Sequence, residues 1–285
     1  MTVVERMARV IKVSLLGPPR VERDGELVAF ETRKAVALLA HLTLTDRPRP
    51  RDALADLLWP GSDPERARGA LRRTLSALRG AIGPELIEAT RDHVRLIKGS
   101  RLAVDVDQFR VLRADGDLER AVDLFRGDFL EGFGVRDAPD FEDWAQIEGD
   151  GLRRELVAVL GELVDSRQTA GDTHGALRSA QRWLSIDPLH ESAHRALMML
   201  YAVTGDRTAA TVQYRRCVRI LSRELGVPPL SETTQLYDAI SQGSYAGSAP
   251  VVTTLAVPVL ESLPSPFVGR SGDCLLYTSP SPRDS

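Results

Sequence analysis

Two cysteines in 285 residues, Cys217 and Cys274, are too few for a disulfide framework and fit a reducing compartment. No apolar run approaches the ~20 residues of a membrane span, and no uninterrupted signal-peptide core opens the chain, so a cytoplasmic location and no membrane partner are expected. No G-x-x-x-x-G-K-[ST] occurs, which excludes a P-loop from this sequence. Asp46, Asp52 and Asp56 lack the strand-end setting of a phosphoacceptor. Cys217, beside Val218 and Leu221 in a helical pattern, reads as a core thiol rather than a nucleophile. His190-Glu191-Ser192-Ala193-His194 does spell H-E-x-x-H, which on a helix can offer two imidazoles to zinc. The remaining histidines, His41, His93 and His174, stand outside the spacing of the extended zinc motifs, so the pair is read as helix-surface residues. No metal, cofactor or enzymatic activity is expected.

What is present is divided by charge. Residues 1–107 hold 19 Lys+Arg against 15 Asp+Glu, while the remainder holds 18 against 25. A basic first half joined to an acidic second half suggests polyanion binding by the first and protein contacts by the second. The length allows about two domains.

The basic half centres on Asp63–Gly80, which carries Arg66, Arg68, Arg72, Arg73 and Arg79 and no acid from Arg66 to Arg79. Asp63 is a good N-cap, Pro64 suits the first helical position, and Glu65 suits the positive end of the helix dipole. Leu71, Leu75, Leu78 and Ile82 form one apolar stripe; Gly69, Arg73, Ser76 and Gly80 fall opposite it, with Arg68, Arg72 and Arg79 on one flank. A helix anchored on one side and cationic elsewhere fits insertion into a DNA groove, although in isolation a solvated Arg-rich surface helix is the favoured reading.

The flanking pattern favours the groove. Val10–Gly17 is β-rich, and Asp24-Gly25 predicts a hairpin between Arg20–Arg23 and Glu26–Phe30. Thr32 is expected to cap a helix over Arg33–Thr43, which Pro48 and Pro50 terminate. Arg51–Trp59 reads as a short helix, and Pro60-Gly61-Ser62 turns the chain into the arginine helix, completing a helix-turn-helix. A hairpin around Thr90-Arg91-Asp92-His93 follows, carrying Arg91, Arg95, Lys98 and Arg101, and Leu102–Val104 can add a strand. Sheet, three helices and basic hairpin are the order of a winged helix. Arg72, Arg73 and Ser76 are the candidates for base edges; Arg68, Arg79, Arg91, Arg95 and Lys98 are expected to meet phosphates, with Arg66 also in the DNA-binding set.

From Asp107 onward every segment reads as helix, the longest over Asp140–Gln168 with Trp144, Ile147, Leu152, Leu156, Val159, Leu160 and Leu163. Ala170-Gly171-Asp172 returns as Thr204-Gly205-Asp206, an offset of 34 residues and the tetratricopeptide period; a plain helical bundle is the alternative. The expected fold class is mainly α: a winged helix-turn-helix domain with small sheets and three helices, then an all-α tetratricopeptide-like repeat domain.

Leu15–Val21, Arg33-Lys34, Arg51–Gly61, Ala67–Arg79 and Leu102–Phe109 together resemble the OmpR-type winged helix of the Streptomyces antibiotic regulatory protein family. Phe129–Phe133, Asp187–Arg207 and Gln213–Thr233 resemble the bacterial transcriptional activator domain that follows it in that family. The resemblance implies a transcriptional activator that binds direct repeats in double-stranded promoter DNA, as a dimer or cooperative assembly. It also implies contact with the RNA polymerase holoenzyme and control of secondary-metabolite genes. The rival reading is the front of a larger signal-transducing ATPase regulator, with the repeat domain as a protein scaffold.

The expected organisation is an extension over 1–9 (Met7 being an alternative start), a winged helix over 10–105 and an activator domain over 106–243. Residues 244–273 read as a linker plus the opening of an ATPase domain, carried by Pro266–Arg270. Residues 274–285 look like a translated transposase sequencing adaptor, an artefact of a truncated gene model.

Overall fold

A computed structural model describes residues 10–245, which form one compact unit. The expectations for residues 1–9, the linker, the ATPase opening and the tail with Cys274 lie outside the described residues.

The chain opens with β1 (Ile11–Ser14), β2 (Arg20–Arg23) and β3 (Glu26–Leu27). Asp24 and Gly25 take φ of 53° and 86°, the left-handed pair that a two-residue hairpin turn requires. Next come α1 (Arg33–Leu44), β4 (Arg49–Pro50), α2 (Arg51–Leu58) and α3 (Pro64–Ile82). Thr32 stands at the N-cap of α1, but its side chain makes no capping bond, contrary to expectation. The wing is β5 (Ile87–Ala89) and β6 (His93–Leu96). Its partner is β4, a strand the sequence reading lacked, so the second sheet has the order β4-β6-β5. β7 (Leu102–Val104) leaves the wing and pairs parallel with β1, completing β3-β2-β1-β7.

The second half comprises α4 (Asp105–Ala114), α5 (Leu118–Asp123), α6 (Pro139–Thr169), α7 (Thr173–Ile186), α8 (Glu191–Val203), α9 (Arg207–Glu224) and α10 (Ser231–Ser241). It is not helical throughout. Between α5 and α6 the chain returns to the first half, where Phe129 bridges to Leu16 and Gly17 and the Leu130 N–H donates to the Leu15 carbonyl at 2.9 Å. The 34-residue repeat corresponds to identical turns. Gly171 and Gly205 have φ of 76° and 83°, and Asp172 and Asp206 each cap the following helix with a 2.8 Å bond. Gly116-Asp117 is a third copy: Gly116 has φ 78° and the Asp117 carboxylate accepts from the Arg120 N–H. In all three the Asp N–H donates to the carbonyl five residues back, at 2.8–2.9 Å, closing the preceding helix with a left-handed glycine.

One contiguous apolar core runs from β1 through α1 and α3 to α6, α7 and α8. No linker separates the halves, since Val104 ends β7 and Asp105 begins α4. The buried Asp105 carboxylate accepts from the Leu15 N–H at 2.8 and 2.9 Å and from the Leu16 N–H at 2.9 Å. Arg33 donates to the Gly134 carbonyl at 2.6 Å and lies 4.7 Å from the centre of the Phe133 ring; Lys34 pairs with Asp137 at 2.6 Å. Of the apolar positions assigned to the long helix, Ile147 is 69% exposed and stands outside the core. Cys217 is buried, and burial pushes its thiol up to about 11.

Candidate nucleic-acid interface

The arginine helix forms because its local chemistry agrees with itself. The Asp63 carboxylate accepts from the N–H groups of Glu65 and Arg66 at 3.0 and 3.2 Å, Pro64 occupies the first turn, and Gly83, at φ 109°, ends the helix. Leu71, Leu75, Leu78 and Ile82 are all buried, at roughly 1.5–3 kcal/mol apiece. Ala67 and Thr74 complete the buried face. Arg66, Arg68, Arg72, Arg73 and Ser76 are exposed on the remaining surface.

Ion pairing divides these cations. Arg72 and Arg73 carry no ion pair or side-chain hydrogen bond among the described residues, and neither do Arg66 and Arg91. The guanidinium groups of Arg72 and Arg73 converge above Gly69: a Cβ there would stand 3.9 Å from Arg72 Nη2 and 3.7 Å from Arg73 Nη1. Arg72 also lines a groove with Arg68, Arg51 and the wing residues Arg91 and His93, whereas Arg73 borders a second groove with Thr32 and Lys34 at the start of α1 and Trp59 at the end of α2.

The other candidates are occupied. Arg68 donates twice to Asp52 of α2, at 2.8 and 3.1 Å, and this hydrogen bonding holds the Asp52 carboxyl below its ordinary value. Arg95 donates to Glu88, its cross-strand partner in the wing, at 2.7 Å. Lys98 bridges Asp46 at 2.9 Å and Asp107 at 3.0 Å. Partial burial alone would lower the Lys98 pKa, but the two carboxylates outweigh it and the net shift is upward. Arg79 is half-buried and donates to the Ile87 carbonyl at 3.2 Å, tying α3 to the wing. Lys98 and Arg79 thus have their cationic groups engaged within the chain. Sequence reasoning missed Arg51 and Asp52. Arg51 clamps the wing through its side chain to the Thr90 carbonyl and its N–H to the Asp92 carbonyl, and Asp52 restrains Arg68.

The histidine pair is not a surface pair, since His190 is half-buried and His194 lies inside. His194 is buried, with Nε2 2.9 Å from the Pro188 carbonyl oxygen and Nδ1 2.7 Å from Gln213 Nε2. The His190 ring packs against Trp183 at a tilt of 49°, with ring centres 4.6 Å apart, and burial holds both imidazoles below their ordinary pKa. No group of metal-ligating side chains is assembled among the described residues. Among these residues no helix is long and apolar enough to cross a membrane.

Residues 92–241 match the family described as the bacterial transcriptional activator domain. The chain is similar to the transcriptional regulatory protein MoaR1 of Mycobacterium tuberculosis, at 27% identity over 82% of this chain and 80% of that protein. It is also similar to the regulatory protein AfsR of Streptomyces coelicolor, at 27% identity over 94% of this chain but only 28% of AfsR. Among solved structures, Mycobacterium tuberculosis EmbR in complex with a low-affinity phosphopeptide shares the fold with a TM-score of 0.67. That match is 23% identical and covers 82% of this chain and 66% of that one.

Proposed function

The chain belongs to the bacterial transcriptional activator domain family, as a regulator of the Streptomyces antibiotic regulatory protein type, and from that premise we propose that it activates transcription by binding promoter DNA through α3. The observation that carries this reading is the pair of guanidinium groups of Arg72 and Arg73, without ion pairs among the described residues, converging over a glycine on the exposed face of the second helix of a helix-turn-helix. A major groove about 12 Å wide admits such a helix, and a bidentate Arg–guanine pair discriminates by ~1–3 kcal/mol. Arg72, Arg73 and Ser76 read base edges; Arg66 and Arg91 hold phosphates; Arg68 and Arg95 can join them only by leaving Asp52 and Glu88. Gly69 lets the helix backbone approach the duplex. The acidic repeat half contacts the RNA polymerase holoenzyme, and the regulated genes serve secondary metabolism. The role is cytoplasmic and not enzymatic.

Selection of random duplexes against the full chain tests this reading. An enriched motif that Arg73→Ala relaxes supports it. Equal, weak binding to every duplex, or none, rejects sequence reading by α3.

A further inference from the structure

The acidic half carries one strongly basic helix. α9 holds Arg207, Arg215, Arg216, Arg219 and Arg223, and its only acid, Glu224, closes its end beside Arg223. At 100° per residue Val212, Arg215, Arg216, Arg219 and Arg223 fall within one arc of about 100°. All five are exposed, Val212 at 56%. Arg215, Arg216 and Arg219 make no ion pair or side-chain hydrogen bond among the described residues. An arginine ridge on a half that is acidic in balance, with an exposed valine in it, is an unpartnered surface.

The complement stands elsewhere on the same chain. On the first half of α6, Asp140, Asp143, Ile147 and Asp150 recur at three, four and three residues and share an arc of about 80°. All four are exposed, Ile147 at 69%, and none of the three carboxylates is ion-paired among the described residues. The helix dipole accounts for the first-turn acid Asp140, but its effect fades within that turn and leaves Asp150 unexplained. The forty residues beyond Tyr245 hold only Glu261, Asp273 and Asp284 as acids, too scattered to match the α9 ridge.

We propose that the α9 ridge of one copy docks on the α6 ridge of a second copy, arginines against aspartates, with Val212 and Ile147 covered at the contact. Because the two faces differ, the contact is heterologous and joins copies head to tail. Opposite-sign ridges around a small apolar centre set orientation and respond steeply to salt.

The test is sedimentation velocity of the full chain, without DNA, across protein concentration at low and high ionic strength. The wild type is expected to associate at low salt and dissociate at high salt. Arg215→Glu with Arg219→Glu, or Asp143→Lys with Asp150→Lys, should each weaken association at least about tenfold. Mixing the two variants should restore it, since each retains the ridge that the other has lost. A wild type that stays monomeric, or association that either reversal leaves unchanged, overturns the proposal. So does a loss of duplex binding on the Arg215 and Arg219 reversal with self-association intact, which would make the ridge a nucleic-acid surface. Because the readout needs no DNA, its failure is separate from failure of the DNA-binding reading.

Discussion

The carboxylate of Asp105, the first residue of α4, receives the backbone N–H of Leu15, ninety positions earlier, on both of its oxygens. It also takes the Leu16 N–H, so one side chain satisfies the backbone where β1 meets the second half. Asp105→Ala leaves both donors buried and unpaired, and the chain should lose at least about 2 kcal/mol of stability. Asp105→Asn, which keeps one acceptor oxygen, should lose less. Urea unfolding of the two variants against wild type checks the order.

His41 gives the fold an acid-sensitive point. It is buried edge-on against Trp144, with ring centres 4.6 Å apart and neither ring nitrogen bonded among the described residues, and burial lowers its pKa to about 4. The unfolded chain takes up this proton near 6.5 and the folded chain only near 4, so stability should fall as pH drops through that window, by roughly 3 kcal/mol in all. The Asp105 carboxyl, raised by burial, acts in the opposite sense: its contribution falls as pH rises from the ordinary carboxylate value to the raised one. Comparing wild type with His41→Leu at pH 7 and pH 5 isolates the histidine; an unchanged difference between the two pH values would refute its role.

Arg91 and Arg95 sit on the same hairpin but should behave differently. Arg91 is exposed without an ion pair among the described residues, whereas Arg95 is held by Glu88. Arg91→Ala should lower the slope of log K against log salt by about one and weaken binding to all duplexes alike. Arg95→Ala should change the slope less, and Glu88→Gln should tighten binding by freeing Arg95. Anisotropy titrations over a salt series distinguish these outcomes.

Gly69 separates stability from recognition. Helix-interior glycine costs about 0.5–1 kcal/mol relative to alanine, and a Cβ here meets only ordinary contacts with Arg72 and Arg73. Gly69→Ala should therefore raise the unfolding midpoint while weakening the selected duplex. A variant more stable and equally tight would show that the backbone does not approach the DNA.

The arginine helix was legible because its cap, its proline and its apolar stripe all lie within twenty residues. What its arginines do was not, since ion pairing depends on partners brought in from elsewhere, as Asp52 of α2 is for Arg68; the same holds for Lys98 after the wing, which meets Asp46 and Asp107. The Gly171 and Gly205 turns are legible from their 34-residue offset, but Gly116 lies 55 residues before Gly171 because the return segment between α5 and α6 and the 31-residue length of α6 together stretch that repeat. Ile147 is exposed because it stands about 180° from Leu156 at 100° per residue, on the side of α6 opposite the buried stripe. An apolar residue marks a core position only when it falls in phase with the other buried positions of its helix.

The direct passage from Val104 into Asp105 also has a consequence for any promoter this chain occupies. With the core continuous across that junction, the repeat half cannot swivel about α3, nor about the groove that α3 would enter under the proposed function. Its azimuth around the duplex is then set by the register of the operator. Moving the operator by about five base pairs, half of a ~10-base-pair turn, would carry the repeat half to the far side of the DNA, and a full turn would bring it back. Activation should therefore oscillate with spacer length rather than decline smoothly.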